Sequence, residues 1–372
     1  MKNRRPPREN PMQLLFERRP ERSRAMMLLS PLIAISLTAL VGAAIFALRG
    51  LNPLEALYIY FMEPLTTLWA LEQLLVKAAP LILIGVGLSI AYIANVWNIG
   101  AEGQFTVGAI FGGMLPVLFP DFQSPLVLPL MLILGFVGGM LYGFIPALLK
   151  NRFGANEILT SLMLVYVAGL LLDWLVRGPW RDPQGFNFPK TVGFSGWQML
   201  PTIGSTVHIG VVLALVIALG LAFVLGSTIK GFEIRVLGSA PRAGSFAGFS
   251  RRRMVMFCFL LSGGLAGLAG ICEVASTVGQ LQPTISPGYG FTAIIVAFLG
   301  RLNPVGVIIA GLVLALSYMG GEAAQVTLGI SDKIAKVFQG ILLFFILACD
   351  TFILYRLRIL PRPKAVELAP AE

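Results

Sequence analysis

Stretches of about twenty consecutive apolar residues recur along this chain. Each is long enough, at a rise of 1.5 Å per helical residue, to cross the hydrocarbon core of a bilayer. Met26 to Leu48 is the first, and Leu126 to Leu149, Ile158 to Val176, Ile209 to Leu225, Met254 to Val274 and Ile334 to Leu354 are equally unambiguous. Pro80 to Val96, Phe105 to Phe119, Phe291 to Leu299 and Val305 to Met319 complete a set of ten. A chain built this way has to satisfy its backbone internally, which leaves an all-α integral membrane protein as the fold class. Only 12% of the residues are charged, about half the share in a soluble domain, so a water-exposed surface is excluded. The long Arg-rich leader and the length of the first span favour a retained anchor over a cleaved signal peptide.

The positive charge is segregated. Eight Lys and Arg precede residue 26, six lie from Lys230 to Arg253, and four follow residue 355. With ten spans and a cytoplasmic N-terminus, all three groups fall on the cytoplasmic side, as the positive-inside rule requires. The net charge of +10 therefore reads as topology and not as a nucleic-acid surface. The expected organisation is a basic cytoplasmic tail over 1–25, a membrane domain over 26–355 with an inner loop at 227–253, and a second cytoplasmic tail over 356–372.

Three spans are too short to cross upright: Phe105 to Phe119, Phe291 to Leu299 and Val305 to Met319. Each follows Gly, Pro or Asn and reads as a broken or re-entrant helix, tolerated at membrane depth only where backbone lines protein or water. Short interrupted segments in matching places of two halves mark the binding site of transporters. Gly103 to Ile110 and Gly290 to Ala297 are weakly alike, which suggests an inverted repeat of spans 2–5 by spans 7–10.

The densest polar island between two spans holds Asn95, Trp97, Asn98, Glu102 and Gln104. Amides that donate and accept, with an indole that stacks, suit a neutral hydroxyl-rich ligand. Glu102 on its own also reads as a first-turn acid. Asn156 and Glu157 carry the signature of a helix cap, with a solute contact as the minority reading. Glu273 is an ionisable group inside a span and is expected to line a cavity or meet a partner, while Gln280 and the Ser286 to Gly290 turn are candidates for the outer side of the site. Phe291 and Thr292 open the short span that follows. No catalytic residue and no metal ligand set is expected. The single His and the three Cys, at 258, 272 and 349, form no metal-binding spacing. There is no GxxxxGK[ST] element for nucleotide phosphates.

The motifs Asn98-Ile99-Gly100-Ala101-Glu102-Gly103-Gln104, Arg235 to Ala243, and Gly290 to Ile294 leading to Leu299 to Pro304 resemble the permeases of bacterial ABC importers. The likeness is to the branched-chain amino acid and ribose type superfamily. Trp97 before Asn98, the Asn156-Glu157 pair and the Asn52-Pro53-Leu54-Glu55 start resemble its simple-sugar and nucleoside branch. The resemblance implies a multi-pass inner-membrane subunit with both termini cytoplasmic. It implies a second homologous permease, cytoplasmic ATP-binding subunits and an external substrate-binding lipoprotein as partners. Arg235, Gly238, Pro241, Arg242, Ala243 and Gly248 would couple the chain to the ATPase, which would carry the ATP and Mg; no cofactor is expected in this chain. A nucleoside is the first expectation for the solute, a simple sugar the alternative, and a self-sufficient secondary transporter a more distant one.

Overall fold

The computed structural model describes residues 12–18, 24–331 and 333–361. It divides into two units, residues 1–42 with 340–372, and residues 43–339. In the first, strand β1 (Met12–Arg18) pairs antiparallel with β2 (Tyr355–Pro361), Met12 opposite Pro361 and Arg18 opposite Tyr355. The expected tails thus contribute a strand each; their remaining parts, 1–11, 19–23 and 362–372, lie outside the described residues.

All ten apolar stretches are helical. In chain order the helices are α1 (Arg24–Leu48), α2 (Pro53–Phe61), α3 (Leu68–Ile93), α4 (Ala101–Leu118), α5 (Val127–Phe153), α6 (Glu157–Arg177), α7 (Ile209–Ser227), α8 (Ile229–Ser239), α9 (Pro241–Phe246), α10 (Arg251–Glu273), α11 (Tyr289–Leu299), α12 (Pro304–Leu328) and α13 (Lys333–Leu354). Among the described residues, α3, α5, α6, α7, α10 with its continuation to Val278, and α12 are long and apolar enough to cross a membrane.

One of the three segments expected to be short is long enough to cross, and a second is longer than its apolar stretch. The span starting at Val305 runs from Pro304 to Leu328, and the span starting at Phe105 begins at Ala101, because Gly, Glu and Gln at their ends extend each helix beyond its apolar stretch. α4, with 18 residues and a rise of roughly 27 Å, stays just below a hydrocarbon thickness of about 30 Å, and α11, with 11 residues and roughly 16 Å, well below it. The span expected from Pro80 begins twelve residues earlier, at Leu68, where Thr67 Oγ1 accepts from the Ala70 amide at 3.2 Å. It ends at Ile93 because Asn95 takes a left-handed conformation, φ +55°. The inner loop 227–253 is built from two helices, α8 and α9, and not from irregular chain.

Within residues 43–339 the core is a reciprocal arrangement: α10 packs on α4 and α5, α3 packs on α11 and α12, and α3 and α10 pack on each other. Glycines set the contact distance. A methyl on Gly108 of α4 would collide with the Cα of Gly267 on α10, and one on Gly267 would collide with the Gly135 carbonyl of α5. Small residues let backbones approach in lipid, where no hydrophobic force drives helices together, so this seam is van der Waals packing at backbone distance.

Candidate functional site

The polar residues between α3 and α4 bond largely to one another. Asn98 and Gln104 are fully buried and satisfy each other: Asn98 Nδ2 donates to Gln104 Oε1 at 2.8 Å, and Gln104 Nε2 donates to Asn98 Oδ1 at 3.1 Å. Asn98 Nδ2 also donates to Ser262 Oγ of α10 at 2.9 Å, and its Oδ1 accepts from the Gly100 amide at 3.0 Å. The Ile99 amide donates to Ser161 Oγ, and Tyr92 Oη donates to the Asn98 carbonyl. Asn98 therefore acts as a knot that satisfies a helix break inside apolar surroundings. Trp97 lies 5.2 Å from Tyr92 and 6.2 Å from Phe298 between ring centroids, and its Nε1 donates to Asn95 Oδ1. Its rings are committed to protein neighbours, which redirects the stacking expectation away from Trp97.

The second polar group assembles around the start of α11. Gly288, at φ +110°, turns the chain into this helix, and Ser286 Oγ accepts from the Gly288 and Tyr289 amides, both at 3.0 Å. The next amide, Gly290, donates to Glu102 Oε2 at 2.6 Å. Glu102 belongs to the first turn of α4, so one carboxylate sits at the positive ends of two helices, where the unpaired amides and the dipoles both favour it. A side chain at Gly290 would collide with the Glu102 backbone, which is why the approach needs glycine here.

From this junction buried polar residues continue along α10, α11 and α12. Thr292 Oγ1 and Tyr318 Oη are 2.7 Å apart, and the rings of Tyr289 and Tyr318 meet edge to face at 5.5 Å. The Tyr289 hydroxyl lies in the combined field of Glu102, Glu273 and Glu322. Glu273 is 6% exposed, and the charge of Lys77 on α3 acts on it. Lys77 Nζ in turn pairs with Glu322 Oε1 of α12 at 2.7 Å. Two carboxylates and one ammonium inside spanning helices are expensive in lipid and belong against water or a partner. The cluster brings buried hydroxyls and carboxylates together on three helices.

The remaining expected residues lie elsewhere. Asn156 Oδ1 caps α6, accepting from the Ile158 amide at 2.9 Å, and Glu157 is ion-paired with Lys150 at the end of α5. Gln280 is half-buried in the segment after α10, whose backbone pairs with the 191–200 stretch through Phe194 N to Gly279 O and Thr191 N to Leu281 O. Phe291 is 41% exposed on α11. Of the inner-loop residues, Arg235 donates from its guanidinium to the Leu225 carbonyl, and Gly238 lies directly against the Ile93 carbonyl at the end of α3. Pro241 opens α9, and Arg242, Ala243 and Gly248 are exposed. A cleft of about 470 Å³ lined by Pro241, Arg242, Ser245, Phe246 and Arg251 faces outward from these helices, with Phe246 94% exposed.

Sequence reasoning did not single out Lys77, Tyr318 and Glu322. The ionisable-in-a-span signal that marked Glu273 applies equally to Lys77 and Glu322. It was masked because the apolar stretches were bounded at Pro80 and Met319, which left both charges outside their own helices.

Residues 70–347 match the family described as branched-chain amino acid transport system, permease component. A glucose ABC transporter permease protein of Haloferax volcanii is 34% identical over 342 residues, which are 89% of this chain and 90% of the relative. A nucleoside ABC transporter permease protein of Lactococcus lactis is 30% identical, with 92% and 96% covered. A guanosine ABC transporter permease protein of Bacillus subtilis is 30% identical, with 86% and 92% covered.

Proposed function

The chain belongs to the family of branched-chain amino acid transport system permease components, and from that membership we propose that it is the permease subunit of an ABC importer that moves nucleosides across the bacterial inner membrane. It works with a second homologous permease, with cytoplasmic ATP-binding subunits that hold ATP and Mg, and with an external substrate-binding lipoprotein. Both termini and the α8–α9 helices are cytoplasmic. The chain binds and passes the solute without covalent chemistry, and α8 and α9, seated on the end of α3 through Gly238 and Ile93, transmit the ATPase stroke to the helix that carries Lys77.

The observation that carries this reading is the Glu102, Glu273, Tyr289, Thr292, Tyr318 cluster at the start of a half-length helix. Hydroxyls and carboxylates arranged there exchange hydrogen bonds with a hydroxyl-bearing solute. The nucleoside and guanosine permeases among the relatives support the nucleoside reading. The 34% identical glucose permease favours a simple sugar as the second reading.

The test is uptake of labelled guanosine, uridine, ribose and glucose by the complete transporter in proteoliposomes, with and without ATP. ATP-dependent nucleoside uptake is expected. Uptake of glucose or ribose that nucleosides fail to compete selects the second reading, and uptake of none of the four overturns both.

A further inference from the structure

A cleft of about 560 Å³ opens between the first half of α3 and the last half of α12. Thr67, Trp69, Gln73, Lys77, Met319 and Glu322 are on its walls. Its volume is that of a small-molecule site. The Lys77–Glu322 pair lies in it with 22% and 60% of the two side chains exposed. Glu322 is six residues from the end of α12 and Lys77 nine from the start of α3, which places them roughly 9 and 14 Å along their helices from those ends. An exposed carboxylate on a spanning helix is costly against acyl chains, which favours water over lipid in the cleft.

We propose that this cleft is a receiving site for a ring solute that bears a vicinal diol, the chemistry that ribonucleosides and simple sugars share. The inference rests on the permease reading above. A carboxylate only accepts and an ammonium only donates, and here they stand 2.7 Å apart. Two adjacent hydroxyls satisfy both at once, one donating a hydrogen bond to Glu322 and the other accepting one from Lys77. Trp69, 61% exposed, supplies the flat apolar wall for the ring, and the Gln73 amide supplies one further donor and one further acceptor. Glu63 is also on the wall, so one ammonium faces two carboxylates and the cleft does not attract anions.

The experiment uses the complete transporter in proteoliposomes, with Gln73→Cys as reporter and a charged methanethiosulfonate reagent present on both faces of the membrane. The transporter without the substitution sets the background from Cys258, Cys272 and Cys349, all buried. Labelling at residue 73 is expected, and it slows about tenfold with uridine or glucose at ten times the half-saturating concentration. It does not change with 2′,3′-dideoxyuridine. Protection by uridine alone identifies the ribonucleoside as the source of the diol, and protection by glucose alone identifies the sugar. Adding Glu322→Gln keeps the labelling and removes the advantage of the diol. Failure to label from water, equal protection by the dideoxy solute, absence of protection, or diol-specific protection that survives Glu322→Gln each overturns the proposal. Nucleoside or sugar uptake without protection defeats the cleft alone; uptake of an unrelated solute class defeats the permease substrate reading, while labelling of residue 73 still reports whether water fills the cleft.

Discussion

His208, the one histidine of the chain, is 4% exposed at the N-cap of α7, and neither ring nitrogen has a hydrogen-bond partner. Burial disfavours the imidazolium and pulls the pKa from 6.5 down to about 4. The folded state then binds fewer protons than the unfolded state between those values. Stability is therefore intact above pH 6.5, falls as the pH drops toward 4, and levels off below, a loss of up to about 3 kcal/mol. Thermal melts of the purified protein at pH 7 and pH 4.5 should show this drop, and His208→Leu should flatten it. A drop of the same size in His208→Leu would trace the acid sensitivity to other groups. The same scale shows what was readable in the chain and what was not. Asn98 and Gln104 stand out as amides between apolar runs, but the sequence does not say that they bond to each other and to Ser262, because that third partner is 164 residues away. Asn156 was readable as a cap because a cap acts within three residues.

Elements were legible in their middles and misread at their ends. Apolar length identifies each helix, but a helix that faces a polar cleft carries its polar residues within the helix, as α3 does with Gln73 and Lys77 and α12 with Glu322. Those residues look like loop to any rule that stops where apolarity stops. Packing between elements follows from small residues, and Gly263 and Gly267 on α10 meet Gly139 and Gly135 on α5 at backbone distance. Gly267→Val has no space to relax into and should destabilise by about 3 kcal/mol or more, read as loss of monodisperse protein after detergent extraction. Gly169→Ala, on an α6 face where an added methyl meets nothing within 4 Å, should extract like wild type. Equal behaviour of the two variants would show that the α4, α5, α10 seam is looser than its geometry implies.

For the whole molecule, charge segregation makes a prediction about sidedness that composition alone does not. A cysteine at Arg242, exposed on α9, should react with an impermeant maleimide only from the cytoplasmic side, and one at Phe186, 93% exposed between α6 and α7, only from the opposite side. Reaction of both positions from one side would break the odd crossing count between them, which is the single span α7. The reciprocal packing around α3 and α10 also bears on how the protein is made. Asn98 and the glycines of α4 and α5 leave the ribosome well before their partner helix, and Ser262 follows Asn98 by 164 residues. At 5–20 residues per second of synthesis, that interval is roughly 8–33 s. Throughout it, a glycine-lined groove stands empty in the nascent chain, held together at Asn98 by Tyr92, Gly100 and Gln104. An insertion chaperone that shields half-finished membrane proteins would find its target there.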